Sequence, residues 1–62
     1  MSLKEDEMNL INAEFEPQYK FLEEKRKAGL ISQEEYETNL QQIRQYEEEC
    51  KALIELEFSE KE

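Results

Sequence analysis

The most informative segment of this chain is KRKAGLISQEEY, residues 25–36, because it holds both a helix stop signal and a helix start signal. The three cations that open it suit the negative end of a helix dipole, and Gly29 adopts the left-handed conformation that commonly ends a helix. Ser32 is a good N-cap residue, and Glu35 three positions later completes a capping box. The segment therefore predicts two helices joined by a turn at 29–32.

Apolar residues recur at helical spacing on both sides of this turn. On each side they fall at steps of three or four residues, which places them along one stripe of a helix. The composition favours helices, since glutamate, glutamine, lysine and leucine are frequent. The predicted hairpin core is Met8, Ile11, Phe15, Tyr19 and Leu22 from the first helix, with Tyr36, Leu40, Ile43, Cys50, Ile54 and Phe58 from the second.

The short linker predicts that the two helices are antiparallel neighbours, which makes an αα-hairpin. If the turn centres near residues 30 and 31, facing residues have numbers that sum to about 61 or 62, so Phe15 falls beside Tyr46 and Glu47. In this register apolar residues face apolar residues along nearly the whole chain. The predicted fold class is all-α, an antiparallel two-helix, coiled-coil-like hairpin. Its single domain at 1–62 has a first helix at about 3–28, a turn at 29–32, a second helix at about 33–58 and a frayed tail at 59–62.

Pro17 lies in the middle of the predicted first helix. Inside a helix, proline removes one backbone hydrogen bond and clashes with the carbonyl four residues earlier, at a cost of about 3 kcal/mol. Either the first helix is continuous and kinked at Pro17, or a helix at 3–15 is followed by a separate one that begins at Pro17. The apolar stripe runs unbroken across this position, which favours the kinked continuous helix.

Composition and charge exclude several classes of function. The 62 residues include 17 acids and 8 bases, a net charge of −9, which repels nucleic acid and anionic membranes. Without histidine and with Cys50 as the single cysteine, the chain has no means of building a Cys/His zinc site or a histidine acid–base pair. We therefore expect no enzyme, no cofactor and no metal site. The absence of a long apolar run or a signal-peptide pattern predicts a cytoplasmic protein without a membrane partner.

Two residues on the predicted core stripe of the second helix need separate interpretation. Glu47 must extend outwards, pair with a cation such as Arg44 or Lys51, or act as a polar residue that fixes the register. Cys50 is interpreted as a small core residue, because a reactive thiol needs an electropositive setting and residues 47–49 are all acidic. The acidic runs lack the spaced ligands and glycine of a calcium loop, so we interpret them as solvated helix faces.

A second apolar stripe lies nearly opposite the core stripe of the first helix. Its members are Leu3, Leu10, Pro17, Phe21 and Ala28, which recur at steps of seven residues apart from the step of four between Pro17 and Phe21. The second helix also has apolar residues on a flank away from its core line. Contiguous apolar patches on soluble proteins commonly mark interaction sites. The predicted partner interface is Leu3, Leu10, Phe21, Tyr46, Leu53 and Leu56.

Charge is distributed unevenly along the predicted hairpin. Residues 1–16 contain five acids and one base, and residues 47–62 contain seven acids and two bases, so the open end is strongly negative. The turn end holds Lys20 and the cations of KRKAGLISQEEY, so an antiparallel pair of hairpins would set acidic ends against basic turns. A chain this short is also close to the lower size limit for a stable single core. We expect a homodimer in a four-helix arrangement, or else a protein partner with a basic or apolar surface.

The string FLEEKRKAGLISQEEYETNLQQI at 21–43 resembles the SHOCT module, a short helical hairpin often found at the C-terminus of bacterial and phage proteins. In that family a leucine-containing helix ends in glycine, followed by Ile/Leu, Ser/Thr, two acids, an aromatic residue and a second helix. The matching residues here are Leu22, Gly29, Leu30, Ile31, Ser32, Glu34, Glu35, Tyr36 and Leu40. The resemblance implies a non-catalytic role in oligomerisation or protein contacts. The N-terminal extension with Pro17 and the long acidic second helix depart from the family pattern.

The predicted architecture is also similar to the Rab-binding helical hairpin of endosomal tethering proteins, which sets two helices and a turn against a GTPase switch surface. Two alternatives to self-association therefore stay open. The hairpin could bind a heterologous partner such as a small GTPase, or the chain could be a piece of a larger coiled-coil protein. The function predicted from the sequence is a non-catalytic module for protein–protein interaction and self-association.

Overall fold

The chain forms an all-α hairpin in a computed structural model that describes residues 2–60. Helix α1 spans Leu3–Lys27 and helix α2 spans Gln33–Glu60, and the two pack against each other. The Cα atoms extend over 48 × 19 × 8 Å, so the molecule is two helices wide and one helix deep. The described residues contain no strand. We call the end with the connection the turn end and the opposite end the open end.

Gly29 ends α1 in the way that its sequence context predicts. Its φ is 74°, in the left-handed region, and Ala28 is the C-cap. The Gly29 N–H donates to the carbonyl of Arg26 at 3.1 Å, and the Leu30 N–H donates to the carbonyl of Lys25 at 3.0 Å. These two bonds form a Schellman motif, which satisfies carbonyls that the end of a helix otherwise leaves without a partner.

Ser32 begins α2 through the predicted capping box. Its Oγ accepts a hydrogen bond from the Glu35 N–H at 3.1 Å, and the Glu35 carboxylate accepts one from the Ser32 N–H at 3.3 Å. At the open end, Ser2 caps α1 by accepting a hydrogen bond from the Glu5 N–H at 3.1 Å. Both helix starts are therefore fixed by bonds between residues three positions apart.

Gly29→Ala should destabilise the hairpin through the backbone alone. A Cβ at this position meets no heavy atom within 4 Å, so the expected loss of about 1 kcal/mol comes from holding alanine at positive φ. Gly29→Asn is the matched variant and should lose less, because asparagine tolerates the left-handed region. Urea denaturation followed by circular dichroism measures all three chains. Equal stability of the alanine and glycine chains would contradict the role assigned to Gly29.

The helix bounds settle the question that Pro17 raised. α1 is continuous across Pro17, so the alternative of two separate helices is wrong. α2 extends two residues beyond the predicted end at Phe58, so Ser59 and Glu60 are helical where a frayed tail was expected. The rest of that predicted tail, residues 61 and 62, lies outside the described residues.

The core is a single seam between the two helices. Phe15, Leu22 and Ile54 are buried, with 2%, 6% and 8% of their surface exposed. The Phe15 and Tyr46 rings have centroids 5.7 Å apart, as the predicted register requires. The other predicted core residues are half-buried: Met8, Ile11, Tyr19, Tyr36, Leu40, Ile43, Cys50 and Phe58. Two helices alone cannot surround a side chain on every side, so most of the seam keeps one edge in water.

Candidate interaction surface

Several large apolar side chains of the hairpin are exposed. Those with 57–73% of their surface in water are Leu3, Leu10, Phe21, Leu30, Tyr46, Leu53 and Leu56. The set contains every residue of the predicted partner interface and adds Leu30, which lies in the turn. Exposure of one such residue is ordinary, so their arrangement decides whether they form a surface.

The exposed residues of α1 lie along one line of that helix. Leu3 and Phe21 are separated by about five full helical turns, and Leu10 and Phe21 by about three, so all three project from nearly the same side. Phe21 and Gln18 of α1 line the same shallow hollow as Asn39 and Gln42 of α2. This shared hollow fixes which side of α2 lies next to the exposed line of α1.

The exposed residues of α2 lie on that same side. Tyr46 follows Gln42 by about one turn, and Leu53 follows Tyr46 by about two, so both continue the line that borders the hollow. Leu56 lies further round, towards the outer edge of α2. We call this broad side of the hairpin the apolar side, and its members are Leu3, Leu10, Phe21, Tyr46 and Leu53.

The opposite broad side is polar. On α2 its residues include Glu37, Gln41, Arg44 and Glu48, which line a surface depression away from α1. On α1 it holds Glu5, Asn9, Asn12, Glu16 and Glu23, which are all exposed. None of the exposed large apolar side chains in residues 2–60 lies on this side. One broad side of the hairpin therefore carries the large exposed apolar side chains together with the exposed carboxylate of Glu14, and the other broad side is polar.

Tyr46 belongs to both the seam and the exposed surface. The sequence places it beside Phe15 in the register and on a flank away from the core line, and its ring packs on Phe15 at a tilt of 47°. Tilted aromatic pairs at this separation are favourable. Tyr46 therefore closes the seam over Phe15 while 61% of its surface stays exposed, so it connects the core to the apolar side.

The turn end of the apolar side combines a ring, a cation and a shallow hollow. The Lys25 ammonium lies 4.6 Å from the centre of the Phe21 ring, within the range of a cation–π contact. The hollow next to it, which we call the turn-end hollow, is lined by Gln18, Phe21, Leu22, Lys25, Asn39, Gln42 and Ile43. Amide groups and one cation surround its apolar floor. This composition suits an apolar side chain with a carboxylate nearby.

Glu47 is tied to the other helix by a tyrosine. The Tyr19 hydroxyl donates a 2.7 Å hydrogen bond to Glu47 Oε1, and Lys51 Nζ lies 3.4 Å from Glu47 Oε2. Lys51 was among the predicted partners, whereas Tyr19 was not. The Glu47 side chain keeps only 18% of its surface exposed, so its charge depends on these two contacts.

The same hydrogen bond shifts the pKa of both partners in opposite directions. Burial and then the bond to Glu47 raise the pKa of Tyr19 to about 12, from 10.0. The bond from Tyr19 lowers the pKa of Glu47 below 4.5 despite partial burial, and Lys51 adds to this effect. The stability that this contact contributes is therefore fully present between pH 4.5 and pH 10.0, the ordinary pKa values of the two groups. It falls at lower pH as Glu47 gains a proton, and at higher pH as Tyr19 loses one.

Tyr19→Phe should raise the pKa of Glu47 towards its ordinary value and lower stability by about 1–2 kcal/mol at neutral pH. The loss should shrink on acidification to a pH below the folded-state pKa of Glu47, where the carboxyl group is protonated in either chain. Carboxyl-carbon NMR titration and urea denaturation at both pH values measure the two effects. Tyr46→Phe is the matched control, since it removes an exposed hydroxyl and should leave the Glu47 titration unchanged. An unaltered Glu47 pKa in Tyr19→Phe would contradict the assignment.

Ion pairs and cation–π contacts secure the two ends of the hairpin to different degrees. At the open end, Lys4 and Glu55 join the two helices at 2.9 Å. At the turn end, the Arg26 guanidinium lies 4.7 Å from the centre of the Tyr36 ring, and its Nε is buried without a hydrogen-bond partner. The Lys27–Glu23 pair lies within α1 and is exposed. Exposed pairs contribute about 0–1 kcal/mol each, so the turn-end cations keep much of their capacity to attract a partner.

The single thiol and the acidic side chains are the remaining candidates for a chemical site in the described part of the chain. Cys50 is a half-buried free thiol on the seam. Residues 2–60 include no group of three or more His, Cys, Asp or Glu side chains placed to hold a metal ion. Neither of the two helices, as far as they are described, has the length and apolar character needed to cross a membrane.

None of the protein-family models, curated proteins and solved structures compared with the chain matches it. A functional assignment must therefore come from the geometry and charge of the hairpin itself.

Proposed function

We propose that this chain is a non-catalytic self-association module in which two hairpins form a four-helix homodimer. One observation supports the proposal above others: five large apolar side chains gather on the apolar side, while the opposite side is polar. Burying such side chains stabilises an assembly by about 25 cal/mol per Å² of apolar surface. A second hairpin laid on this side would give Phe15 and Tyr46 a second layer and create a closed core.

Charge makes the association selective. The net charge of −9 keeps hairpins apart unless apolar contact or complementary charge offsets the repulsion. The acidic open end and the basic turn end favour an arrangement in which the two hairpins point in opposite directions. Such a dimer has an apolar centre and a charged rim, which is the common organisation of protein interfaces.

Light scattering across a dilution series, combined with circular dichroism, tests the proposal. At micromolar concentration the mass should be near twice 7.5 kDa, and it should fall towards 7.5 kDa on dilution as the dimer dissociates. Helicity should fall less than mass, because the seam between α1 and α2 lies within each hairpin. A monomer at every concentration would contradict self-association, and would turn the search towards a heterologous partner for the apolar side.

A further inference from the structure

We propose that two copies dock through their apolar sides in one antiparallel register, with Phe21 of one copy against Leu10 of the other and Lys25 against Glu7. This inference rests on the proposed function, because it specifies the arrangement of the same dimer. Its occupant for the apolar side is a second copy of this chain. The argument uses the symmetry of a twofold dimer, the spacing of the apolar residues and the placement of charge.

Symmetry determines which helices meet. When two flat hairpins pack face to face with their long axes reversed, the twofold axis lies in the interface across the hairpin, so α1 packs on α1 and α2 on α2. With full overlap, the axis passes near residues 15 and 16 of α1 and near Tyr46 of α2. These positions face each other in the hairpin, as the Phe15–Tyr46 ring contact shows. Facing residues of the two α1 helices then have numbers that sum to about 31.

This register pairs the apolar residues of α1 with one another. Leu10 of one copy meets Phe21 of the other, and Leu3 meets Ala28, and each contact occurs twice by symmetry. Leu10 and Phe21 have 66% and 60% of their surface exposed in the single hairpin, so both have substantial area to bury. On α2, Tyr46 lies on the axis and contacts its own symmetry mate, an arrangement that suits an aromatic ring.

The same register fills the turn-end hollow. Facing residues of the two α2 helices sum to about 92, which places Leu53 of the second copy opposite Asn39. Asn39 and Phe21 both line the hollow, and Leu53 is 66% exposed in the single hairpin. An apolar side chain from the open end of one copy therefore enters a hollow at the turn end of the other.

Charge complementarity follows from the same pairing. Lys25 and Glu7 are about five helical turns apart, so they project from the same side of α1, between the exposed line and the seam. Both are half-buried in the single hairpin. Reversing one copy brings Lys25, which borders the turn-end hollow, opposite Glu7 at the partner's acidic open end. Two symmetric ion pairs then flank the Phe21–Leu10 contacts.

Other arrangements lose these matches. Sliding the copies by one heptad towards their open ends sets Leu10 opposite Glu14 and takes Lys25 away from Glu7. A dimer with both open ends together would place two strongly acidic segments side by side. The full-overlap antiparallel register keeps the Leu10–Phe21 and Lys25–Glu7 matches, and it sets the exposed Glu14 opposite Pro17 rather than opposite an apolar residue of the exposed line.

A charge-swap experiment tests the register by the dimer dissociation constant. Lys25→Glu and Glu7→Lys should each weaken the dimer about tenfold, because two attractions become two repulsions. The double variant should return to within about threefold of the original chain, since the pairs are restored with reversed sign. Lys27→Glu and Glu5→Lys are the matched controls: they make the same charge changes near the same ends on the polar side. They should change the constant by less than about twofold.

A distance measurement tests the orientation independently. Spin labels at Gln33→Cys in a Cys50→Ala background should lie about 40 Å apart in the proposed dimer, because both labels are at turn ends and the ends are reversed. A dimer with its turn ends together would give less than about 20 Å. Circular dichroism on each labelled chain verifies that it is helical.

The outcomes separate this inference from the function on which it rests. Rescue by the double variant together with the long label distance supports the register. A dimer of the expected mass with a short label distance, or without rescue, overturns the register and leaves self-association intact. A chain that is monomeric throughout overturns both.

Discussion

Phe15→Ala should unfold most of the chain at temperatures where the original hairpin is helical. Phe15 is the most buried core residue, with 2% of its surface exposed, and its ring packs on Tyr46. Removing a buried phenylalanine ring costs about 3–5 kcal/mol. A single core in a chain of this length supplies about 3–5 kcal/mol in total, so the substitution should consume nearly all of the stability. Thermal melts followed by circular dichroism at equal chain concentration measure the effect.

Leu30→Ala is the matched control for this prediction. Leu30 loses a comparable apolar group, but it lies in the turn with 73% of its surface exposed, away from both the seam and the apolar side. Its replacement should change stability by less than about 0.5 kcal/mol. Similar melting of the Phe15→Ala chain and the Leu30→Ala chain would show that the seam does not stabilise this protein as the burial pattern indicates.

The hairpin was predictable from sequence because its determinants are local. The glycine stop at Gly29 and the capping box of Ser32 and Glu35 involve residues within a few positions of one another, and each forms the predicted bonds. The register then followed from the turn, since facing apolar residues must match once the helices are antiparallel. Pro17 lies inside a continuous helix, because the apolar stripe on both sides of it packs on one partner.

The contacts that sequence reasoning missed join residues far apart along the chain. The Tyr19–Glu47 hydrogen bond spans 28 positions and the Lys4–Glu55 pair spans 51. Each depends on side-chain rotamers that reach about one turn beyond the facing residue, which periodicity alone does not specify. Sequence analysis identified Glu47 as a carboxylate that needed a partner. Tyr19 lies about one helical turn from the residue that faces Glu47 in the predicted register, and this was the sequence signal that could have identified the donor.

Sequence reasoning also did not establish how the exposed apolar residues of the two helices lie relative to each other. Helical spacing placed Leu3, Leu10 and Phe21 on a line opposite the core of α1, and they are exposed there. Spacing within one helix does not say how that line sits relative to the exposed residues of α2. The turn-end hollow, shared by Phe21 and Gln42, supplies this relation and makes one continuous side from two separate stripes.

Leu10→Glu and Phe21→Glu should each weaken the dimer by at least about a hundredfold. Either substitution puts a carboxylate into the centre of the proposed interface twice, once from each copy, and an unpaired buried charge costs several kcal/mol. Every 1.4 kcal/mol corresponds to about tenfold in the dissociation constant. Hairpin helicity should fall less than dimer mass, because neither side chain lies on the seam. Light scattering and circular dichroism on the same samples measure both quantities.

The control for these variants is Asn9→Glu, which adds the same charge next to Leu10 on the polar side, where residue 9 is exposed. Because that side faces water in the proposed dimer, Asn9→Glu should shift the dissociation constant only through the added net charge, by about twofold. The comparison separates the effect of the carboxylate's position from the effect of its charge, because the new carboxylates in Leu10→Glu and Asn9→Glu are one residue apart. A hundredfold loss in both chains would mean that repulsion alone governs association, whereas no loss in either would mean that the dimer forms through a different surface.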